Sequence, residues 1–269
     1  MKISVIIPAH NSVQTLARAI DSVLEQSYKA DEIIVVDDGS TDATSEVAKM
    51  YDEVSLLRQK NMGVSSARNN GVMMAANEWI AFLDSDDTWH PEKLKEQAAY
   101  HRKNKGCKVS CTDEVWIRDD KEVSVPKKFQ KPQVATFESC LSYCNIVPSS
   151  VLMQKKLFDR LGGFDESLEV CEDYDLWLRI LREEPIALVD QKLVTKYGGA
   201  DDQFSMKHWG MDRSRVKALE KHLETVFDTP VREELIRKYT LLAEGARKYQ
   251  KEDDVSLYEA RIEQLRAGF

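Results

Sequence analysis

An α/β fold built on a mostly parallel sheet, followed by a helical extension, is what this chain of 269 residues predicts. Two observations carry that prediction. From residue 2 to about 105, apolar runs rich in β-branched residues alternate with amphipathic segments, the pattern of βαβ units feeding a parallel sheet. From about Met211 onward only helical periodicity is left. Hydrophobic residues make up 42% of the chain, enough for a sizeable core. The expected organisation is one α/β domain over 1–210, with halves at about 1–105 and 106–210, and a helical extension over 211–269.

The elements follow in order. Lys2–Ile7, Glu32–Asp37, Val54–Leu57 and Trp79–Leu83 read as strands, each rich in β-branched or aromatic residues. A helix is expected over Ser12–Gln26, where Val13, Leu16, Ala17, Ile20, Val23 and Leu24 recur at helical spacing, with others over Ala43–Tyr51 and Val64–Ala76. Pro91 suits the first turn of a further helix. Residues 107–153 predict shorter strands and loops, including strands over Lys108–Val115 and Ile146–Met153. A short helix over Lys155–Leu161 stops at Gly162-Gly163. A helix over Glu172–Glu183 ends at Pro185, and Ile186–Lys196 is strand again. Thr229-Pro230 reads as the N-cap and first residue of a helix. Leu235, Tyr239, Leu242, Ala246 and Tyr249 form one apolar stripe, and Leu257, Tyr258, Ile262 and Leu265 another. These predict a helical hairpin packed on itself or on the main domain, and a surface through which two copies could pair as a homodimer.

The net charge of −8 disfavours nucleic acid as a partner, since phosphate binding needs clustered Lys and Arg. Met1–Pro8 is too short an apolar run for a signal peptide and reads as a first strand. No uncharged apolar segment approaches the roughly 20 residues that span a bilayer, so no transmembrane segment and a cytoplasmic location are expected. Of the five cysteines, Cys107 and Cys111 fall on an expected strand and no closely spaced His completes a zinc pattern. Reduced structural thiols are the expectation, with a metal site as the other reading.

Chemistry concentrates where strands end. The run Trp79 to Asp87 goes from apolar side chains straight into Asp84, Ser85, Asp86 and Asp87. Right-handed crossovers bring the carboxyl ends of parallel strands to one rim, where open α/β sheets bind ligands. That rim would carry Pro8-Ala9-His10-Asn11, then Asp37-Asp38-Gly39-Ser40, then Asp84-Ser85-Asp86. Asp84 and Asp86 stand close enough for one hard cation to draw on both, directly or through water. The plain alternatives are an acidic turn at Asp84–Asp87 and a capped strand-to-helix turn at Asp37–Thr41.

Five motifs in order complete the reading: Val5-Ile6-Ile7-Pro8-Ala9-His10-Asn11, Val35-Val36-Asp37-Asp38-Gly39-Ser40-Thr41-Asp42, Gly63-Val64-Ser65-Ser66-Ala67-Arg68-Asn69, Phe82-Leu83-Asp84-Ser85-Asp86-Asp87 and Glu172-Asp173-Tyr174-Asp175-Leu176-Trp177. Over residues 2 to 200 the chain resembles the family 2 inverting glycosyltransferases of GT-A fold. The resemblance implies a nucleoside diphosphate sugar as donor, UDP-linked in most relatives, a hydroxyl acceptor, and Mn²⁺ or Mg²⁺ as cofactor. It also implies roles. Asp38 would accept a hydrogen bond from the base, beside Asp37 and a pocket shaped by Pro8, Ala9, His10 and Asn11. His10 departs from the tyrosine of many relatives, which removes a stacking ring. Asp86 would bind the metal, with Asp84 and Ser85 near the ribose or a metal-bound water. Arg68 would approach the base or diphosphate, a surface salt bridge being the alternative.

The resemblance makes Asp173 the base that takes the acceptor proton. In the first turn of a helix the dipole favours its ionised form, while Glu172 and partial burial oppose it; both residues could equally be ordinary N-terminal helix charges. Trp177 shares that helical face and would floor the acceptor site or pack in the core. Asp201, Asp202 and His208 are the candidates for a further metal or phosphate contact from the later loop. The acceptor is a saccharide or lipid-linked hydroxyl, which would place the protein peripherally at the inner face of a membrane, though no basic amphipathic helix marks a membrane contact. A non-catalytic nucleotide-binding or scaffold protein of the same fold is the rival reading. A nucleotidyltransferase is disfavoured because Pro8-Ala9-His10-Asn11-Ser12 offers no Gly-rich, Arg-bearing loop.

Overall fold

A computed structural model describes residues 1–198 and 210–268. The first half is built as βαβ units: β1 (Ile3–Ala9), α1 (Leu16–Leu24), β2 (Glu32–Asp38), α2 (Thr44–Ala48), β3 (Val54–Gln59), α3 (Val64–Met74) and β4 (Trp79–Phe82). β1 runs parallel to both β2 and β4, and β2 runs parallel to β3. Every residue of β1 is buried, as expected of a central parallel strand covered on both faces. Helix α3 lies close against it at Gly71, where an added Cβ would stand 2.5 Å from Ile6 Cγ2.

The second half adds β5 (Thr88–Trp89), α4 (Lys93–Lys103), β6 (Val109–Arg118), β7 (Lys121–Val123), β8 (Val134–Ala135), α5 (Phe137–Cys140), β9 (Leu152–Gln154), α6 (Lys155–Arg160), α7 (Glu172–Leu181) and β10 (Ile186–Gly198). Among the described residues these complete one ten-stranded sheet in the order β3-β2-β1-β4-β9-β6-β10-β5, with β7 on β6 and β8 on β10. β9 is antiparallel to β4 and β6, while β10 is parallel to β6. Short β5 turns back antiparallel to β10, pairing Thr88 with Thr195 and Trp89 with Val194. That return lays the Asp84–Asp87 turn beside the end of β10.

Three helices follow, α8 (Asp212–Glu220), α9 (Asp228–Lys248) and α10 (Glu252–Ala267). The expected hairpin packs both on itself and on the main domain: Leu235, Tyr239, Tyr258 and Ile262 belong to the same buried core as Leu176, Trp177 and Ile180 of α7. Lys221 Nζ reaches Asp175 Oδ1 at 2.6 Å, and Phe227 stacks on Phe137 with ring centroids 4.1 Å apart.

Several expected boundaries move. The helix expected over Ser12–Gln26 starts only at Leu16, because Asn11 is left-handed (φ 51°) and the Ser12 N–H donates to Thr44 Oγ1 (2.7 Å), fixing 12–15 as a turn. The strand expected over Ile146–Met153 is a 3₁₀ turn at Pro148–Ser150 and then β9, since Ser149 turns its polar atoms to the Asp84–Asp87 segment. Helix α9 starts at Asp228, so Thr229 is inside it and Pro230 is its third residue, still in the first turn where a missing N–H goes unnoticed. All five cysteines are free thiols. No helix among the described residues is long and apolar enough to cross a membrane.

Candidate active site

The three strand ends do meet. Beyond β1, His10 Nδ1 lies 2.8 Å from the Asp38 carbonyl oxygen, so Nδ1 carries the proton. Nε2 is then the acceptor for the amides of Asn61 (3.2 Å) and Asn11 (3.3 Å). Asn11 Oδ1 accepts from the Thr41 N–H at 2.8 Å, and the Asn11 N–H donates to Ser40 Oγ at 2.9 Å. Ser12 Oγ and Ser85 Oγ are 2.8 Å apart, which ties the first strand end to the third. Pro8 and Ala9 are buried within β1, so what they offer a ligand is backbone shape.

Asp37 and Asp38 divide their work. Asp37 is 0% exposed, accepting from the Ser40 N–H (2.9 Å) and from Ser45 Oγ, with Arg58 Nε 3.3 Å away. Burial opposes its charge, but Ser40, Ser45 and Arg58 outweigh burial and hold the carboxyl below its usual range. Its carboxylate is therefore spent inside the turn instead of facing a ligand. Asp38 accepts from Gln59 Nε2 and the Met62 N–H on one oxygen and from the Gly63 N–H on the other, each at 2.8 Å. It thereby fixes the 59–63 loop over the second strand end. Gly39 (φ 70°) permits that closeness, because a Cβ there would stand 2.5 Å from the Asn61 nitrogen.

Arg68 projects from α3 and is 3% exposed. Nη2 donates to Asp84 Oδ1 and Nη1 to Glu172 Oε1, both at 2.7 Å. This is a buried bridge and not the surface pair that the sequence left open. Burial disfavours the guanidinium charge, yet Asp84 and Glu172 raise its pKa above the ordinary arginine value. The remaining Nε has no protein partner.

Asp84 is further placed by its N–H, which donates to Ser149 Oγ (3.1 Å), while that hydroxyl donates to Asp87 Oδ2 (2.7 Å). Asp87, the last residue of the acidic run, is 2% exposed. Burial first, then the neighbouring carboxylates, raise the pKa of both Asp86 and Asp87, against the pull of Lys196. The carbonyl of Asp86 accepts from Arg18 Nη2 (3.0 Å), and the Arg18 guanidinium lies 3.6 Å over the Tyr197 ring.

Lys196, near the end of β10, has an ammonium that burial disfavours but that Asp87, Asp84, Asp86 and Asp173 keep charged, raising its pKa. A divalent cation suits these acids in one way. Among the described residues no three His, Cys, Asp or Glu side chains are grouped to hold a metal. A cation here would draw on Asp86 and Asp84 together with oxygens of a bound phosphate, the mode usual for Mg²⁺. It would also favour the ionised form that burial opposes at Asp86.

Helix α7 brings the second acid group. It starts after Cys171, a left-handed residue at φ 66°, so the chain turns sharply to aim Glu172 and Asp173. Glu172 is spoken for by Arg68. Asp173 is half-buried: Oδ1 accepts from the Tyr174 N–H (2.7 Å), and the Cys144 thiol lies 3.3 Å from Oδ2. Burial and the nearby Asp173 raise the Cys144 pKa well above the usual thiol value, so it stays a donor.

Trp177 corrects the expectation of an acceptor floor. It is 2% exposed, sits in the core and donates Nε1–H to the Ile146 carbonyl (2.9 Å), supporting the chain that carries Cys144. Asp201, Asp202 and His208 lie outside the described residues. Arg18, Cys144, Ser149 and Lys196 are site residues that the sequence did not single out. Lys196 alone carried a readable signal, a charge two residues before the end of a strand leading to the rim.

Comparison with known proteins identifies the family and the fold. A family model described as glycosyl transferase family 2 matches residues 4–160. An uncharacterized glycosyltransferase of Rickettsia typhi is 34% identical over 200 residues, covering 71% of this chain and 62% of that protein. The chain thus spans under two thirds of the length of such Rickettsia relatives. WfgD of Escherichia coli, named a UDP-Glc:alpha-D-GlcNAc-diphosphoundecaprenol beta-1,3-glucosyltransferase, is 30% identical over 89% of this chain and 90% of its own. Among solved structures, S. aureus TarS 1-349 in complex with UDP-GlcNAc superposes with a TM-score of 0.69 at 20% identity, covering 100% of this chain and 92% of that one. That likeness shows the fold, which is of GT-A type. With more than half of its length matched by the family model, the chain belongs to glycosyl transferase family 2.

Proposed function

We propose that this chain transfers a sugar from a UDP-linked donor to a hydroxyl of a lipid-linked or saccharide acceptor, with inversion and with Mn²⁺ or Mg²⁺ bound at Asp86 and Asp84. The observation that carries the reading is the meeting of two acid groups at one sheet edge, Asp84–Asp86 just after β4 and Glu172-Asp173 at the start of α7, joined by Arg68 bonding to both Asp84 and Glu172. The donor class is supported by WfgD, whose name specifies UDP-Glc, and by TarS, solved with UDP-GlcNAc. The acceptor class is supported by the diphosphoundecaprenol-linked GlcNAc in the name of WfgD.

In this reading His10, Asn11 and the Asp38-held loop frame the nucleoside, and the turn Asp84–Asp86 meets the diphosphate. When bound, the cation would neutralise charge growing on the departing diphosphate as a Lewis acid. Lys196 adds a fixed positive charge at the same place. Asp173 takes the proton from the acceptor hydroxyl as its oxygen bonds to the anomeric carbon and the bond from that carbon to the diphosphate oxygen breaks. The products are the lengthened acceptor and UDP. Cys144 and the Tyr174 N–H orient the Asp173 carboxylate for that step.

Calorimetry with UDP, GDP and dTDP compounds in the presence of Mn²⁺ tests the donor assignment, and binding of none of them would remove it. Asp173→Asn is expected to keep UDP binding while transfer falls roughly 10²- to 10⁴-fold. Full transfer by that variant excludes Asp173 as the base.

A further inference from the structure

Some aromatic side chains outside both hydrophobic cores group together. Trp116 of β6, Phe129 and Tyr143 are all half-exposed and touch in a row, with centroids 5.8 Å apart for Trp116–Phe129 and 6.1 Å for Phe129–Tyr143. The Trp116 indole is held by Glu114, its Nε1–H lying 3.3 Å from Oε1, and Glu114 is in turn paired with the buried Lys131. Such a fixed, partly open aromatic row is more than a scattered exposed residue.

Each end of the row neighbours a residue of the site. In the parallel register of β6 and β10, Trp116 stands directly beside Lys196, so the two side chains leave the same face of the sheet. At the other end Tyr143 immediately precedes Cys144, whose thiol lies 3.3 Å from Asp173. The row thus runs from the strand neighbour of Lys196 to the chain neighbour of Cys144. Lys128 sits at its rim, with Nζ 5.0 Å from the Phe129 ring centroid and 5.2 Å from that of Tyr143. Lys127 and Lys128 are exposed, and neither has an ion pair among the described residues.

We propose that Trp116, Phe129 and Tyr143, with Lys127 and Lys128 at their edge, form the acceptor subsite, and that it takes a sugar ring whose anomeric carbon carries a phosphate or diphosphate. This rests on the transfer reading above and names its acceptor side. A pyranose offers an apolar C–H face that packs on aromatic rings, leaving its ring hydroxyls free to reach a carboxylate. Its anomeric phosphate points away from the hydroxyl that reacts, toward the unpaired ammonium groups, where lysine serves as a point charge for phosphate.

The test is calorimetry on the full chain, without donor, using two probes: N-acetylglucosaminyl diphosphate bearing a short alkyl chain, and the neutral alkyl glycoside of the same sugar. Tyr143→Ala and Trp116→Ala are each expected to weaken both probes roughly tenfold, as losing one stacked ring would, and to leave UDP affinity unchanged. The double variant Lys127→Glu/Lys128→Glu is expected to weaken only the diphosphate probe. Trp116→Phe keeps a ring and retains binding, whereas Trp116→Leu keeps bulk without a ring and loses it; this pair decides the matter should Trp116→Ala unfold. Unchanged binding in the aromatic variants overturns the subsite. Equal loss of the charged and neutral probes in the lysine double variant overturns the phosphate assignment. Absence of UDP binding in the unaltered protein would remove the donor reading and not this one, since the acceptor probes are measured alone.

Discussion

Arg68 and Glu172, separated by 104 positions in the chain, are joined by a hydrogen bond of 2.7 Å from Nη1 to Oε1. The other arm of the same guanidinium holds Asp84, so one side chain sets the position of helix α7 relative to the end of β4. Removing it leaves Glu172 buried and unpaired and brings two acid groups together without a cation. Arg68→Met is expected to cost about 3 to 5 kcal/mol, read as a fall in the urea midpoint with an unchanged m-value. Arg68→Lys should recover little, because one ammonium cannot match a fork that spans two carboxylates.

Ser149 makes a second prediction. Its hydroxyl accepts from the Asp84 N–H and donates to Asp87, linking a backbone group to a buried acid. Ser149→Ala orphans both partners and is expected to cost about 1 to 3 kcal/mol. Because the turn it braces is the one proposed to meet the diphosphate, UDP affinity should fall as well. Ser149→Thr restores the hydroxyl; recovery of affinity with Thr but not with Ala is the outcome that assigns the effect to the hydrogen bonds.

Lys196 yields a third. Four carboxylates, Asp87, Asp84, Asp86 and Asp173, keep it charged despite its burial. If it faces the donor diphosphate, Lys196→Met should lower UDP affinity roughly tenfold, equivalent to about 1.4 kcal/mol, and leave uridine binding as it was. An equal loss for UDP and uridine would mean that Lys196 shapes the pocket without touching phosphate charge.

The half of the fold with βαβ rhythm was legible because both signals are local: β-branched runs at β1 and β2, and helical spacing between them. The rim acids Asp38, Asp84 and Asp86 were legible for the same reason, since right-handed crossovers carry strand ends to one edge. What was not legible depends on contacts distant in sequence. Nothing around Arg68 announces Glu172, and nothing in Pro148-Ser149-Ser150 announces Asp84, so a turn that serves the site was read as strand. Trp177 shows the limit of periodicity: its place on one face of α7 with Asp173 was correct, but depth decides between floor and core, and depth is set by the helices packed behind it. Asp37 and Asp38 look alike in sequence, and only the turn chemistry of Ser40 and Ser45 sends the first of them inward.

Lys93 gives the pH prediction. It is 0% exposed, donates to Gln97 Oε1 at 2.8 Å and lies 4.1 Å over the Trp89 ring, behind the turn that carries the acids. Burial, with little opposing it, lowers its pKa to about 7. The unfolded chain holds this proton up to about pH 10.4, so between the two values the unfolded state binds more protons than the native state. Stability should therefore rise with pH above about 7, by at most about 1.4 kcal/mol per unit from this group, and lose its dependence on Lys93 below that. In Lys93→Met the group cannot titrate. Urea unfolding at pH 7 and pH 9 should show the unaltered protein gaining stability relative to Lys93→Met over that interval. Parallel behaviour of the two would mean that Lys93 stays protonated in the native state, held by Gln97 and the Trp89 ring.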